Sequence, residues 1–276
     1  MQSAISLLAM LPLPVLQWAG RSFGRLHWYL HSDWALTTRA NLQWCYPHLT
    51  PRTHRRLARA SLEASGMLLF EALLAWRAAP ERIEAAVASA TGFEVTDGPG
   101  CTLALIPHFG NWEILHAWVA QRLNLTVMYR PPRHAALHRL LLSMRRQQRS
   151  RMVPATAAGV RELVRAVRRD GAVGILPDQA PTEGGVWANF FGHPALTVGF
   201  PGRLRPARVL MAWAERRADG RFDLHFKLVQ LPREPEAWAA ACNREIEQIV
   251  ARQPEQYQWE YRRFKRQPEG AFRYHL

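Results

Sequence analysis

The chain has 276 residues, 48% hydrophobic and 21% charged, with 36 Lys plus Arg against 22 Asp plus Glu and a formal net charge of +14. That length suits one large domain with a good core and is short for two, and the absence of any repeat, linker or low-complexity tract excludes an array. The positive excess favours an anionic partner: nucleic acid, a phospholipid surface, an acidic carrier protein or a phosphorylated substrate. Cys45, Cys101 and Cys242 are scattered without a CxxC pair, which fits a reducing compartment and supplies no structural zinc.

Residues 1–20 carry no charge, and Arg21, Arg25, Trp28 and Tyr29 follow them. No positive segment precedes the apolar run, so it does not read as a cleaved signal. Pro12 and Pro14 interrupt it, whereas a spanning helix needs about 20 apolar residues. Flanking arginines and aromatics are what a membrane interface favours. We read residues 1–30 as a membrane anchor, spanning or interfacial, and 31–276 as a single domain; a buried N-terminal helix is the alternative. Gly20-Arg21-Ser22-Phe23-Gly24 matches the G-x-S-x-G nucleophile pattern, but that motif needs a strand before the serine and none is read there. Asp33 is expected to cap a helix running to Trp44. Thr50-Pro51 reads as cap plus first-turn proline of a long helix through Trp76, whose basic first half suits either a membrane surface or solvent. Residues 81–90 read as one more short helix.

Cys101–Ile106 is a short apolar run after the turn Asp97-Gly98-Pro99-Gly100, as a buried strand reads. Pro107 stops it, Gly110 permits a tight path, and Asn111 is a good N-cap for a helix over 112–123. His108 is thereby expected at the carboxyl end of a strand, where open α/β sheets place their ligands. Glu113, in the first helical turn, is within reach of it; a lone His beside a Glu is as readily structural as catalytic. Leu125–Tyr129 reads as a second strand, followed by a helix over 134–148 and a basic cluster over 145–151. His134 and His138 stand at a zinc-compatible spacing, yet no third ligand is evident, and they read as surface residues. Ala172–Leu176 is a third strand, preceded by a helix over 160–168 and ending in Pro177-Asp178-Gln179. The alternation predicts an α/β fold with a mainly parallel central sheet flanked by helices. Asp178 then shares the sheet edge with His108, either serving a site or capping a turn. Pro181–Phe191 reads as a Gly-rich loop, Val209–Ala214 and Phe222–Val229 as an antiparallel edge pair, and Glu236–Arg252 as an amphipathic helix. Pro254–Lys265, with four aromatic residues among its charges, is expected to pack back on the core.

The segment His108-Phe109-Gly110-Asn111-Trp112-Glu113 resembles the HxxxxE signature of the bacterial lipid A late acyltransferases, the lauroyl/myristoyl transferase family. That family also includes the mycobacterial phosphatidylinositol mannoside acyltransferases. Tyr129-Arg130-Pro131, Pro177-Asp178-Gln179, Phe190-Phe191-Gly192 with Thr197, and the run Pro254–Lys265 match in order, so the resemblance covers nearly the whole chain. It implies a glycerolipid acyltransferase-like fold with N-terminal membrane-associated helices, at the cytoplasmic face of the cell inner membrane. It further implies transfer of a fatty acyl chain from acyl carrier protein to a hydroxyl of a lipid A precursor, with His108 and Glu113 as the catalytic pair and no cofactor or metal.

Direct transfer from a thioester to a hydroxyl suits a His/Glu pair without a protein nucleophile. His108 takes the hydroxyl proton and Glu113 holds the ring. The tetrahedral oxyanion needs donors, for which Gly110, Asn111, Arg130 and Arg151 are candidates, with Asp178 a further substrate-side residue. Arginines suit acceptor phosphates and an acidic carrier. The same mechanism with another acceptor (a glycolipid, an aminolipid or a polyene alcohol), or with acyl-coenzyme A as donor, is the alternative. A nucleic-acid binder would give His108 no role, and no nucleic-acid motif is present.

Overall fold

A computed structural model of the protein describes residues 7–131, 150–169, 171–270 and 273–274. The histidines at 134 and 138 and the helix expected around them lie outside these residues, as does most of the 145–151 cluster. Helices α1 (Leu13–Tyr29), α2 (Asp33–Cys45), α3 (Pro51–Arg77) and α4 (Pro80–Ala86) precede the sheet. Ser32, not Asp33, caps α2 by accepting from the Ala35 amide, and Thr50 caps α3 ahead of Pro51 as expected.

The strands are β1 (Val87–Thr91), β2 (Cys101–Leu105), β3 (Leu125–Tyr129), β4 (Arg151–Pro154), β5 (Gly171–Ile175), β6 (Gly185–Phe190), β7 (His193–Val198), β8 (Arg208–Arg216) and β9 (Phe222–Leu228). Helix α5 (Trp112–Val119) lies between β2 and β3, α6 (Ala157–Val167) between β4 and β5, and α7 (Pro235–Arg252) follows β9. Seven strands form one sheet in the order β1-β9-β8-β2-β5-β3-β4, parallel at every step except β8–β9, while β6 and β7 make a separate hairpin. The mainly parallel α/β architecture expected from the strand–helix alternation is the one observed. Successive residues of β8 serve opposite faces: Met211 and Trp213 join a core with α6 and α7, and Leu210, Ala212 and Ala214 join one with α3 and α5.

Two expectations change, and one strand is added. The β8–β9 pair is internal, because Val87–Thr91 leaves the expected 81–90 helix and docks in parallel on β9. The expected 181–191 loop contains β6, which pairs with β7 across Phe191 and Gly192, both at positive φ (48° and 77°), as a two-residue hairpin turn requires. Four residues of β4 form a strand that is too short for any periodicity to announce.

The Gly20–Gly24 motif is a helix-packing device. A Cβ on Gly20 would stand 2.5 Å from the Gly66 carbonyl oxygen, and one on Gly24 2.1 Å from that of Leu62, so α1 and α3 touch backbone to backbone. The buried face of α1 is Leu16, Gln17, Gly20 and Gly24, while Val15, Trp18, Leu26 and Tyr29 are exposed. No helix among the described residues is long and apolar enough to cross a membrane.

Candidate active site

Strands β2 and β5 are parallel neighbours with Leu105 opposite Ile175, so the third residue beyond each, His108 and Asp178, emerges at the same level of the carboxyl edge. The two meet there. His108 donates its backbone N–H to Asp178 Oδ2 at 2.8 Å, and its ring Nδ1 lies 2.7 Å from Asp178 Oδ1. Both carboxylate oxygens thus grip one residue, fixing the ring's rotation and assigning the proton on that side to Nδ1 by the bonding pattern. Asp178 is 1% exposed. Burial pushes its carboxyl pKa up, but the charge of His108, the two hydrogen bonds from it and the charge of Arg263 outweigh burial and hold it below the ordinary range. The carboxylate stays ionised. Nε2 of His108 is left as the basic nitrogen, on a side chain 13% exposed and edge-on to Trp112.

Glu113 does not hold this ring. It is buried in the first turn of α5, accepts a 2.7 Å hydrogen bond from Trp76 Nε1 of α3 and lies 3.9 Å from Nδ1 of the buried His116. Among the described residues no hydrogen bond or ion pair joins it to His108. The reason is the N-cap: Asn111 accepts from the Ile114 amide and starts α5 at Trp112, which turns Glu113 toward α3.

The turn before α5 is pinned from outside. Gly110 has φ +58°, and a Cβ there would lie 1.6 Å from the Ala214 carbonyl oxygen, so β8 presses directly on it and no larger residue fits. Its N–H donates to Gln256 O, and that of Asn111 donates to Ala214 O. Asn111 is fully buried, with its side-chain NH2 donating to Glu71. Neither is therefore a free oxyanion donor, contrary to expectation, because the close packing that makes the turn tight also consumes its amides.

The other candidates separate. Arg130, exposed at the carboxyl end of β3, lies near enough to Tyr261 for its charge to act on that phenol, whose hydroxyl accepts from the Ala180 amide beside Asp178. Arg151 is at the wrong end. It opens β4, which runs parallel to β3 with Arg151 opposite Thr126, and it pairs with Glu162 at 2.7 Å at the amino edge.

The segment 254–265 proves to be the wall of the site. Gln258 N donates to His108 O at 3.1 Å, and Phe109 bridges Tyr257. Tyr257 is buried; burial and the nearby Asp178 charge keep its hydroxyl protonated. Arg263 is buried too, donating to Leu196 O and Thr197 Oγ1, both at 2.6 Å, which ties β7 to this segment. Glu260 accepts from Ser65 Oγ at 2.8 Å; burial raises its carboxyl, opposed by that bond and by the charge of His108. The order of these residues in the chain was visible, but nothing in their spacing told where they go. Among the described residues no group of His, Cys, Asp or Glu side chains is placed to hold a metal ion.

Comparison with known proteins places the chain in a family. The chain is 26% identical over 282 residues to the lipid A biosynthesis lauroyltransferase of Escherichia coli strain K12, covering 96% of this chain and 90% of that protein. It is equally 26% identical to the palmitoleoyltransferase of the same strain (94% and 88% covered) and to a lipid A biosynthesis acyltransferase of Haemophilus influenzae (84% and 76%). The model of the bacterial lipid A biosynthesis acyltransferases matches residues 3–266, and the chain belongs to that family of acyltransferase enzymes.

Proposed function

We propose that the protein is a membrane-associated O-acyltransferase that moves a fatty acyl chain from an acyl carrier protein thioester to a hydroxyl of a lipid A precursor. The observation that carries the mechanism is the double grip of Asp178 on His108 at the carboxyl edge of the sheet. Nε2 of His108 takes the acceptor hydroxyl's proton as that oxygen attacks the thioester carbonyl, while Asp178 holds the ring and balances the imidazolium. The tetrahedral intermediate collapses with cleavage of the C–S bond, and the departing thiolate recovers the proton from His108. Arg130 is our candidate for the cation that meets the oxyanion or an acceptor phosphate. Glu113 ties the first turn of α5 to α3 through Trp76.

The outer face of α1, with Trp18 71%, Leu26 52% and Tyr29 63% exposed, supports residues 1–30 lying along the lipid surface, with 31–276 as the acyltransferase domain. Flanking Arg21 and Arg25 suit an anionic leaflet, consistent with the cytoplasmic face of the inner membrane.

The test is transfer by detergent-solubilised protein from labelled acyl carrier protein or coenzyme A thioesters to a panel of lipid acceptors, beside His108→Ala. Transfer to a lipid A precursor that His108→Ala reduces by about 10³-fold is expected. Full activity in that variant would remove His108 from the mechanism, and transfer only to another lipid would keep the chemistry and change the acceptor.

A further inference from the structure

We propose that Glu71 is the positioning residue of the His108 turn, acting through Asn111. Glu71 sits in α3, has no exposed surface, and reaches neither His108 nor the open side of the site. Its two oxygens accept four hydrogen bonds from three separate elements. Oε1 accepts from Gln17 Nε2 of α1 and from Arg216 Nε of β8, each at 2.8 Å. Oε2 accepts from Arg216 Nη2 at 2.6 Å and from Asn111 Nδ2 at 2.8 Å. That number is about what a carboxylate can accept, so this buried charge is fully satisfied.

The consequence falls on Asn111. Its amide carries two duties: Oδ1 caps α5 at the Ile114 amide, and Nδ2 must then face Glu71. An acceptor at Glu71 fixes which way the amide points; a donor there would meet the NH2 head-on and drive a flip that removes the cap. Arg216 completes the frame. It is held by Glu71 at its guanidinium and by Gln256 at its backbone, and Gln256 O in turn receives the Gly110 N–H. The turn bearing His108 is therefore held at its Asn111 end by the buried Glu71 carboxylate, at His108 by Asp178, and at Gly110 by the Gln256 segment. Misplacement of a reacting group by about 1 Å is enough to cost on the order of 10² in rate.

The inference rests on the acyl-transfer reading above, and the experiment separates the two. Glu71→Gln keeps the shape and replaces one acceptor atom by a donor. Asn111→Ser keeps a residue able to cap α5 but too short to reach Glu71. With full-length protein in detergent, both variants are expected to unfold cooperatively, to keep KM for the acyl thioester within about twofold, and to lose roughly ten- to a hundredfold in kcat. The double variant is expected to be no slower than the slower single one, because both act along one path. Wild-type kcat in folded Asn111→Ser, or losses that multiply in the double variant, would overturn the proposal; a Glu71→Gln chain that does not fold leaves Asn111→Ser to decide it. His108→Ala in the same assay tests the underlying chemistry: if it transfers acyl groups as well as wild type, that reading falls with it, whereas an inactive His108→Ala beside a fully active Asn111→Ser sinks the Glu71 proposal alone.

Discussion

The two ends of the central strands handle charge in opposite ways. At the carboxyl edge, Asp178 and Glu71 are both at or below 1% exposure, and the partners of every oxygen are accounted for. At the amino edge, Arg151, Arg165 and Arg169 line a surface cavity of about 380 Å³, and the Arg151–Glu162 pair leaves 64% and 37% of its side chains in water. Arg165, in the last turn of α6, also sits where a helix end favours a cation. Read as sequence, the arginine-rich stretches look like the more eventful region. In three dimensions Arg151, Arg165 and Arg169 are solvated, and exposed pairs of that kind are worth about 0–1 kcal/mol. Desolvation, not charge density, separates a built site from a charged surface.

The comparison breaks most visibly at Asp178. Asp178→Asn keeps the shape but removes the acceptor that selects the histidine tautomer, and kcat is expected to fall by about 10²–10⁴-fold in the acyl-transfer assay. Glu113→Gln, which retains an oxygen for Trp76 Nε1, is expected to lose only about tenfold. The reverse ranking would return the ring-holding role to Glu113. A smaller effect belongs to Glu260, whose carboxyl is raised above its ordinary 4.5. Its contribution to stability is fully present below that pH and is lost as pH rises through the raised value. Glu260→Gln is therefore expected to raise Tm by about 2–4 °C at pH 8, with the gain vanishing toward pH 4, measured by calorimetry. A gain that persists at pH 4 would place its origin elsewhere. Least of all, Arg151→Ala is expected to leave kcat within about twofold and stability within about 0.5 kcal/mol by urea unfolding. A tenfold loss there would mean that the amino edge takes part in transfer.

How far the site was legible follows from what each residue type reveals locally. The strand end, the glycine turn and the Asn111 cap are written in neighbouring residues, and they suffice to put His108 at the carboxyl edge. Asp178 was placed at the same edge by the same reasoning about β5. Which carboxylate takes the ring was not legible, because Glu113 is near in the chain and Asp178 is near only through the register of two parallel strands. Arg151 was misplaced because β4 went unseen. Glu71 was invisible for another reason: one acidic residue in the run from Met67 to Leu74 reads as a solvent-facing position, and its partners Gln17 and Arg216 come from 54 and 145 residues away. The fold as a whole was more legible than the site, since strand–helix alternation is a local pattern and contact between distant polar groups is not.

The bracing of the His108 turn by residues 256–258 has a consequence for how the protein is made. A chain leaves the ribosome from its amino end, so α1 emerges well before the segment that receives the Gly110 N–H and donates to His108 O. Trp259 and Tyr261, whose carbonyls bind Asn41 Nδ2 of α2, come later still. The apolar outer face of α1 is thus made long before the pocket can close. A chain cut ahead of Pro254 would keep the apolar outer face of α1 but would lack the segment that braces the His108 turn.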